Sequence, residues 1–278
     1  MITELNKHEF YTIKHLTDPC NNIEVRAVVN GNSPGWVYVD HRIRPTAALL
    51  WIQGQEGFHI IGNEHSESFR IGLEAYMTQY IEPRLQELGV NWVEISGETD
   101  SWADTIQEIF TTRDISSDIQ HVFTLKGNSD ACEYIEDKIM IRRIDENLLN
   151  SRRLDNHSFL EEKINRFWNS IDTFLPVGFG YIVEHNNNVL SACLSSFVDK
   201  ETHAIDIETL EGYKRNKYGT AVARAFIDEC KQRGISPYWD CSPENMGSIS
   251  VARSLGLTPC FDYKIFWYEC RTIMPKTT

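Results

Sequence analysis

The chain has 278 residues and carries 40 Asp and Glu against 27 Lys and Arg, a formal net charge of -13. With 41% hydrophobic and 11% aromatic residues it is globular rather than disordered, and it is long enough for two domains of ordinary size. The acidic balance argues against a nucleic-acid or anionic-membrane surface, both of which favour basic patches, and suits a cationic small molecule.

The first twenty residues lack the apolar core of a secretory signal, and no later run approaches the ~20 apolar residues of a membrane span, so a cytoplasmic location is expected. Cys20, Cys132, Cys193, Cys230, Cys241, Cys260 and Cys270 are scattered, odd in number and never spaced C-x-x-C. Reduced thiols are expected, with neither a disulfide framework nor a metal site.

After a polar opening, residues 36–39, 47–52 and 58–61 read as strands, with a turn over the HRIRP stretch. A helical pattern over 69–88 sets Leu73, Tyr76, Met77 and Tyr80 on one side, and Pro83 is expected to kink or end it. A strand at 91–95, a helix at 102–110 and a closing strand at 121–125 complete the first half.

Gly127-Asn128-Ser129-Asp130 is a polar turn cluster between apolar runs and marks the expected boundary, giving domains at 1–128 and 129–278. In the second domain a strand at 138–144 precedes a short helix opened by Asp145 and Glu146. A longer helix over 159–171 turns Leu160, Ile164, Phe167 and Trp168 inward. Residues 181–183 and 189–197 flank an asparagine turn and read as an antiparallel hairpin. Gly178-Phe179-Gly180 precedes a strand instead of following one into a helix, so it is not a dinucleotide fingerprint.

The run from 203 to 257 carries the most chemistry. Residues 204–209 (AIDIET) alternate, with Ile205 and Ile207 on one face and Asp206 and Glu208 on the other. Lys214, Arg215 and Lys217 follow, then a helix whose Val222, Phe226 and Cys230 share a face. Three cations at a helix start are disfavoured by the helix dipole, by about 0.3–1 kcal/mol each, unless an anion also sits there. Phosphate is the obvious anion, because free N–H groups and dipole then act together with the side chains. Between 61 and the helix of the first half stands GNEHSESFR, which cannot supply such a site. Past Gly234, residues 237–241 read as a buried strand, Ser242-Pro243-Glu244-Asn245 as a helix start, Gly256 as its end, and 261–268 as the last strand.

These residues resemble the GNAT acetyltransferase superfamily, whose signature is Gln/Arg-x-x-Gly-x-Gly/Ala between a strand and a helix. Lys214-Arg215-Asn216-Lys217-Tyr218-Gly219 aligns with it by charge at Lys214 and by identity at Gly219, while Lys217 stands where the first Gly belongs. Asn245 and Leu255-Gly256-Leu257 resemble further family features. The run from Thr209 through YKRNKYGTAVARAFIDEC to PYWDCSPENMGS is similar, more narrowly, to the branch that includes the zwittermicin A resistance acetyltransferase.

The resemblance implies an α/β (α+β) fold, with a C-terminal mixed sheet flanked by helices and preceded by a degenerate GNAT-like half. It implies acetyl-CoA as co-substrate. Its pyrophosphate would rest on the amides and side chains of Lys214, Arg215, Asn216, Lys217, Tyr218, Gly219 and Thr220, and its thioester arm beside Ile207 and Thr209, with Asn245 and Ser248 on the far side. A small-molecule amine would attack directly, with an aminopolyol antibiotic as the branch's acceptor and neither nucleic acid nor membrane as a partner. Glu208 is the first choice of base, its pKa raised by burial beside the cofactor, then Asp240 and Asp206. The family's Tyr donor position holds Ala252, which leaves Tyr218, Tyr238 or water to protonate the thiolate. Cys241 ends a buried strand without a His at a recognisable spacing and is read as structural. Two other functions fit the same residues, a non-catalytic acyl-CoA sensor and a scaffold for a partner protein.

Overall fold

The computed structural model describes residues 1–125, 139–150 and 153–271. The expected linker at Gly127-Asn128-Ser129-Asp130 and Cys132 lie outside the described residues. In chain order the elements are β1 (Thr3–Leu5), α1 (Lys14–Thr17), α2 (Ile23–Val29), β2 (Gly35–Val39), β3 (Ala47–Ile52), β4 (Gly57–Gly62), α3 (Glu67–Tyr76), α4 (Glu82–Glu87), β5 (Trp92–Gly97), α5 (Asp100–Ile109) and β6 (Ser116–Leu125). There follow β7 (Met140–Arg143), α6 (Glu146–Asn150), α7 (His157–Phe167), α8 (Ile171–Phe174), β8 (Gly180–His185), β9 (Asn188–Asp199), β10 (Thr202–Thr209), α9 (Tyr218–Arg233), β11 (Ser236–Cys241), α10 (Met246–Ser254) and β12 (Leu257–Glu269).

Two compact units emerge. One holds Met1–Gly31, Gly35–Ile119 and the described chain from Tyr263; the other holds Asn32–Pro34 and Gln120–Asp262. These units differ from a cut after 128, because each takes its sixth strand from the other half of the sequence. The expected closing strand at 121–125 does not close the first half's sheet. Instead its residues pair antiparallel with β11, from His121↔Cys241 to Thr124↔Tyr238. The first unit is completed by β12, which runs antiparallel to β5 from Ile265↔Ser96 to Glu269↔Trp92. Phe266 and Tyr268 then join Trp51, Phe69, Leu73, Trp102 and Phe110 in its core.

The first unit's strand order is β1-β2-β3-β4-β5-β12 and the second's is β6-β11-β10-β9-β8-β7. Each sheet is mixed, with one parallel pair: β4 with β5, and β10 with β11. β3 is a six-residue apolar run buried on both faces. The helical pattern of 69–88 continues through Pro83, because a π turn over Met77–Ile81 precedes it and Pro83 falls in the first turn of α4, where a missing N–H is tolerated. Tyr80, expected on the inner face, is 56% exposed. α2 lies within the polar opening, for which no element was expected.

In the second unit Asn186 and Asn187 adopt φ of 49° and 58° and so form the two-residue turn of the β8–β9 hairpin. α9 packs Val222, Phe226 and Cys230 on one face of this sheet, beside Phe179, Cys193 and Trp239. Toward the C-terminal end of the same side of α9, Glu229 is buried and accepts hydrogen bonds from Arg143 of β7 (3.0 and 2.9 Å), the Tyr181 hydroxyl of β8 (2.7 Å) and Arg233 (2.9 Å). Burial works against its ionised form, but the hydrogen bonds from Arg143, Tyr181 and Arg233 outweigh it and bring the carboxyl from 4.5 to about 2. Among the described residues no helix is long and apolar enough to cross a membrane.

The folded value of Glu229 lies below the unfolded one, so its stabilisation is full above pH 4.5 and is lost as pH falls through about 2. Urea unfolding at pH 7 and pH 3 is therefore expected to show a larger deficit for Glu229→Gln at pH 7 than at pH 3. An equal deficit at both pH values would contradict the assignment.

Candidate functional site

β10 pairs antiparallel with β9 along its whole length, from Thr202↔Asp199 to Thr209↔Ser191, yet it is in register with β11 only at Thr202, His203 and Ala204. Beyond Ala204 the two parallel strands part. A bulge in the β9–β10 ladder between His203 and Ile205 marks the place, and bulges bend and twist the ladder they interrupt. Residues 205–209 therefore carry peptide groups on their β11 side without a ladder partner, which opens the sheet between its two faces.

The chain then turns through Glu211–Tyr213 into Lys214 and the start of α9. Arg215 and Lys217 have φ of 65° and 61°, the left-handed region, and such residues fold successive N–H groups into anion-binding concavities. Lys217 is the N-cap of α9 and supplies no side-chain cap, so the amides of Tyr218, Gly219 and Thr220 have no acceptor within the helix. Lys214 pairs with Glu211, whereas Arg215 pairs with no carboxylate among the described residues. Left-handed backbone explains why glycine suits position 217, and this chain holds a lysine there against a cost of roughly 1–2 kcal/mol. Gly219 is needed for a different reason. A Cβ there would come within 3.1 Å of Thr209 Oγ1 and 3.5 Å of Ile207 Cδ1, so its absence lets the first turn of α9 approach the end of β10.

A cavity of ≈ 490 Å³ lies between the end of β10, this first turn, β11 and α10. Ile207, Thr209, Lys214, Arg215, Lys217, Tyr218, Gly219, Thr220, Asn245 and Ser248 all line it, a set brought together from three elements. Asn216 does not; its side chain donates to the Tyr213 carbonyl at 3.1 Å. Tyr213, Trp239, Gly247 and Val251 line the cavity without having been anticipated. Helical spacing from Asn245 and Ser248 carries the signal for Gly247 and Val251, and alternation in β11 the signal for Trp239. Asn245 caps α10 by accepting from the Ser248 N–H at 3.0 Å, and Ser248 Oγ accepts from the Trp239 indole at 2.8 Å, which fixes the far wall.

Glu208, Asp206 and Asp240 lie on the other face. Ile205, Ile207, Trp239 and Cys241 pack with α9, and alternation sends the three carboxylates to the opposite side, where α7 lies. The expected burial of Glu208 is absent: its side chain is 52% exposed and Lys163 Nζ of α7 stands 3.0 Å from its Oε2. Lys163 also pairs with Asp206. Ala252 is fully buried in the α9–α10 core and offers no proton donor. Of the two tyrosines considered, Tyr218 is on the cavity wall, and Tyr238 is buried with its ring 6.2 Å from that of Phe261.

The parallel pair of the first unit is built differently. β4 and β5 stay in register through Ile60↔Gly97, and the Glu98 N–H extends the ladder to the Ile60 carbonyl at 3.0 Å. The Trp102 indole donates to the Gly62 carbonyl at 3.0 Å, and Glu98 accepts from the Gly62 N–H at 3.3 Å. Where the second unit opens, the first is sealed by a buried tryptophan and a carboxylate.

A Gly and an Ala replacement at Lys217 remove the same ammonium and differ only in what they require of the backbone. Lys217→Gly is expected to unfold in urea at a higher midpoint than Lys217→Ala, a gap of about 1 kcal/mol. Equal midpoints would show that the left-handed backbone carries no cost.

A model of the GNAT acetyltransferase family matches residues 14–266. An uncharacterized N-acetyltransferase of Bacillus subtilis, YdfB, is 27% identical over 271 residues, 96% of this chain and 98% of the relative. In fold, the chain is similar to a GCN5-related N-acetyltransferase-like protein from Streptococcus suis, with a TM-score of 0.65 and 19% identity over 94% of this chain and 99% of that one. It is similar also to a tandem GNAT protein from the clavulanic acid biosynthesis pathway, with a TM-score of 0.63 and 11% identity over 99% of each chain. The two sheets with their flanking helices fit that tandem arrangement. The chain belongs to the GNAT acetyltransferase family.

Proposed function

We propose that the second unit transfers an acetyl group from acetyl-CoA to a primary amine of a small molecule, by direct attack within a ternary complex. The observation that carries this reading is the parting of β10 from β11 beside the open first turn of α9. GNAT enzymes use acetyl-CoA, and the residues here suit its parts: uncapped helix amides together with cationic side chains for a pyrophosphate, strand groups without a ladder partner for a thioester arm, a glycine where a Cβ would intrude. The first unit, sealed at the equivalent place, is proposed to be a degenerate copy without a carrier site.

The amides of Tyr218, Gly219 and Thr220, with Arg215, Lys214 and Lys217, would hold the pyrophosphate. Peptide groups of 205–209 would orient the thioester arm, and Ser248 and Asn245 would bound it from α10. Acetyl-CoA, when bound, supplies an acyl carbon open to attack and a thiol as leaving group. On the α7 face Glu208 would take the proton that the attacking ammonium must lose, directly or through a water, with Asp240 as the second choice. Tyr218 on the cavity wall, or water, would protonate the departing thiolate, so that amine and thioester become amide and free thiol. Net charge -13 and three carboxylates on one face favour a cationic acceptor. The likeness of the 209–248 run to the zwittermicin A resistance branch makes an aminopolyol antibiotic the acceptor we propose, with resistance as the consequence.

Acetyl-CoA is expected to raise the unfolding temperature, and less so in high salt, because the contacts at α9 are charged. Thiol release is then expected with at least one member of a panel of aminopolyols, aminoglycosides, polyamines and amino acids. Glu208→Gln should lower kcat by about 100-fold or more, the range of a lost general base, while keeping the stabilisation by acetyl-CoA. Unchanged turnover would remove Glu208 from the mechanism, and absence of both stabilisation and thiol release would overturn the whole reading.

A further inference from the structure

α7 buries Leu160, Ile164 and Phe167, and the same inward stripe contains Lys163. Burying an ammonium is unfavourable unless it is paired, and Lys163 is only 7% exposed. Its stem lies along the apolar stripe and its head reaches β10, where it meets two carboxylates. Nζ is in contact with Asp206 and stands 3.0 Å from Glu208 Oε2. Cys193 of β9 is on the other, α9-facing side of the sheet and adds no charge, because full burial pushes its thiol well above its ordinary range.

The count of charges is informative. A lysine needed only to tie α7 to β10 would be satisfied by one buried acid, and a well-packed apolar pair would hold the helix equally well. Here one ammonium serves two carboxylates, which leaves this group with a net charge of -1. The two acids also differ in exposure: the Asp206 side chain is 21% exposed and that of Glu208 is 52% exposed. Asp206 is the inner partner that keeps Lys163 in place; Glu208 is the outer one, held at one oxygen and open to solvent at the rest.

We infer that Lys163 is a positioning residue for acetyl transfer: it fixes the orientation of Glu208 and sets the charge of the acceptor-facing side of β10. The inference rests on the reading of Glu208 as the base and adds to it. Anchored at Oε2, Glu208 keeps one carboxylate oxygen aimed outward toward an incoming ammonium instead of sampling its rotamers in water. The surplus negative charge attracts that ammonium, while Lys163 keeps the two acids from repelling each other.

The test is a set of variants of the full chain, assayed with acetyl-CoA and the amine of the panel that gives most thiol release. Lys163→Met is expected to lower kcat by about 10-fold or more with the acetyl-CoA Kd unchanged, and Lys163→Arg to recover to within about three-fold of wild type. In the Glu208→Gln background, Lys163→Met should add less than about two-fold, because both act through one carboxylate. Full independence of the two effects would overturn the inference while leaving Glu208 as base. Unchanged turnover in Glu208→Gln alone would sink the base reading and this one with it. If Lys163→Met does not fold, Asp206→Asn serves: it gives Lys163 wholly to Glu208, neutralises the group, and should raise KM for the amine about 10-fold. An unmoved KM would overturn the inference.

Discussion

The second unit depends on a parallel strand pair that stops pairing after three residues. The first unit's β4 and β5 also register at three positions, but their pairing runs to the end of β5 and on through the Glu98 N–H to the Ile60 carbonyl. β10 instead stays paired with β9 through Thr209, apart from one bulge, and gives up its pairing to β11 past Ala204. The missing bonds are a thermodynamic liability in an apolar interior and become useful only if something else satisfies the freed groups. The family's thioester carrier, a chain of amides ending in phosphates, is such a ligand. The short loop from β10 brings the uncapped start of α9 to the same opening, so amides for the phosphates and peptide groups for the arm lie in sequence along one path.

Charge follows the same division. The chain is strongly acidic, yet the mouth of this cavity gathers Lys214, Arg215 and Lys217 at the positive end of a helix. Cations and helix dipole would repel one another there without an anion between them. On the opposite face the pattern is reversed, with Asp206, Glu208 and Asp240 and one buried lysine. An anionic donor and a cationic acceptor would thus approach from opposite sides of one sheet and meet at the gap between β10 and β11. In the first unit Trp102 and Glu98 occupy the corresponding place.

Much of this was legible in the sequence. Alternation in AIDIET, the cation cluster and the Gly219 position located the strand, loop and helix, and ten of the residues expected around the carrier line one cavity. Local rules reached this far because strand alternation, helix starts and glycine approach are set by nearby residues. What they missed is non-local. No pattern within 116–125 or 257–269 says which sheet those strands will join, because both candidate neighbours are antiparallel partners of similar apolar character. The partner of Glu208 is non-local for a related reason: it is Lys163, 45 residues earlier, and a lysine in an otherwise apolar helical stripe is the one local signal of it. The left-handed backbone at Arg215 and Lys217 was also invisible, since neither residue type favours it.

The central claim is that the parted strands and the start of α9 form one site for one ligand. The most direct test is a crystal structure of the protein with acetyl-CoA. In it the pyrophosphate is expected on the amides of Tyr218, Gly219 and Thr220, and the thioester arm hydrogen-bonded to β10 past Ala204. A carrier bound elsewhere, including beside β4 and β5 of the first unit, would contradict it.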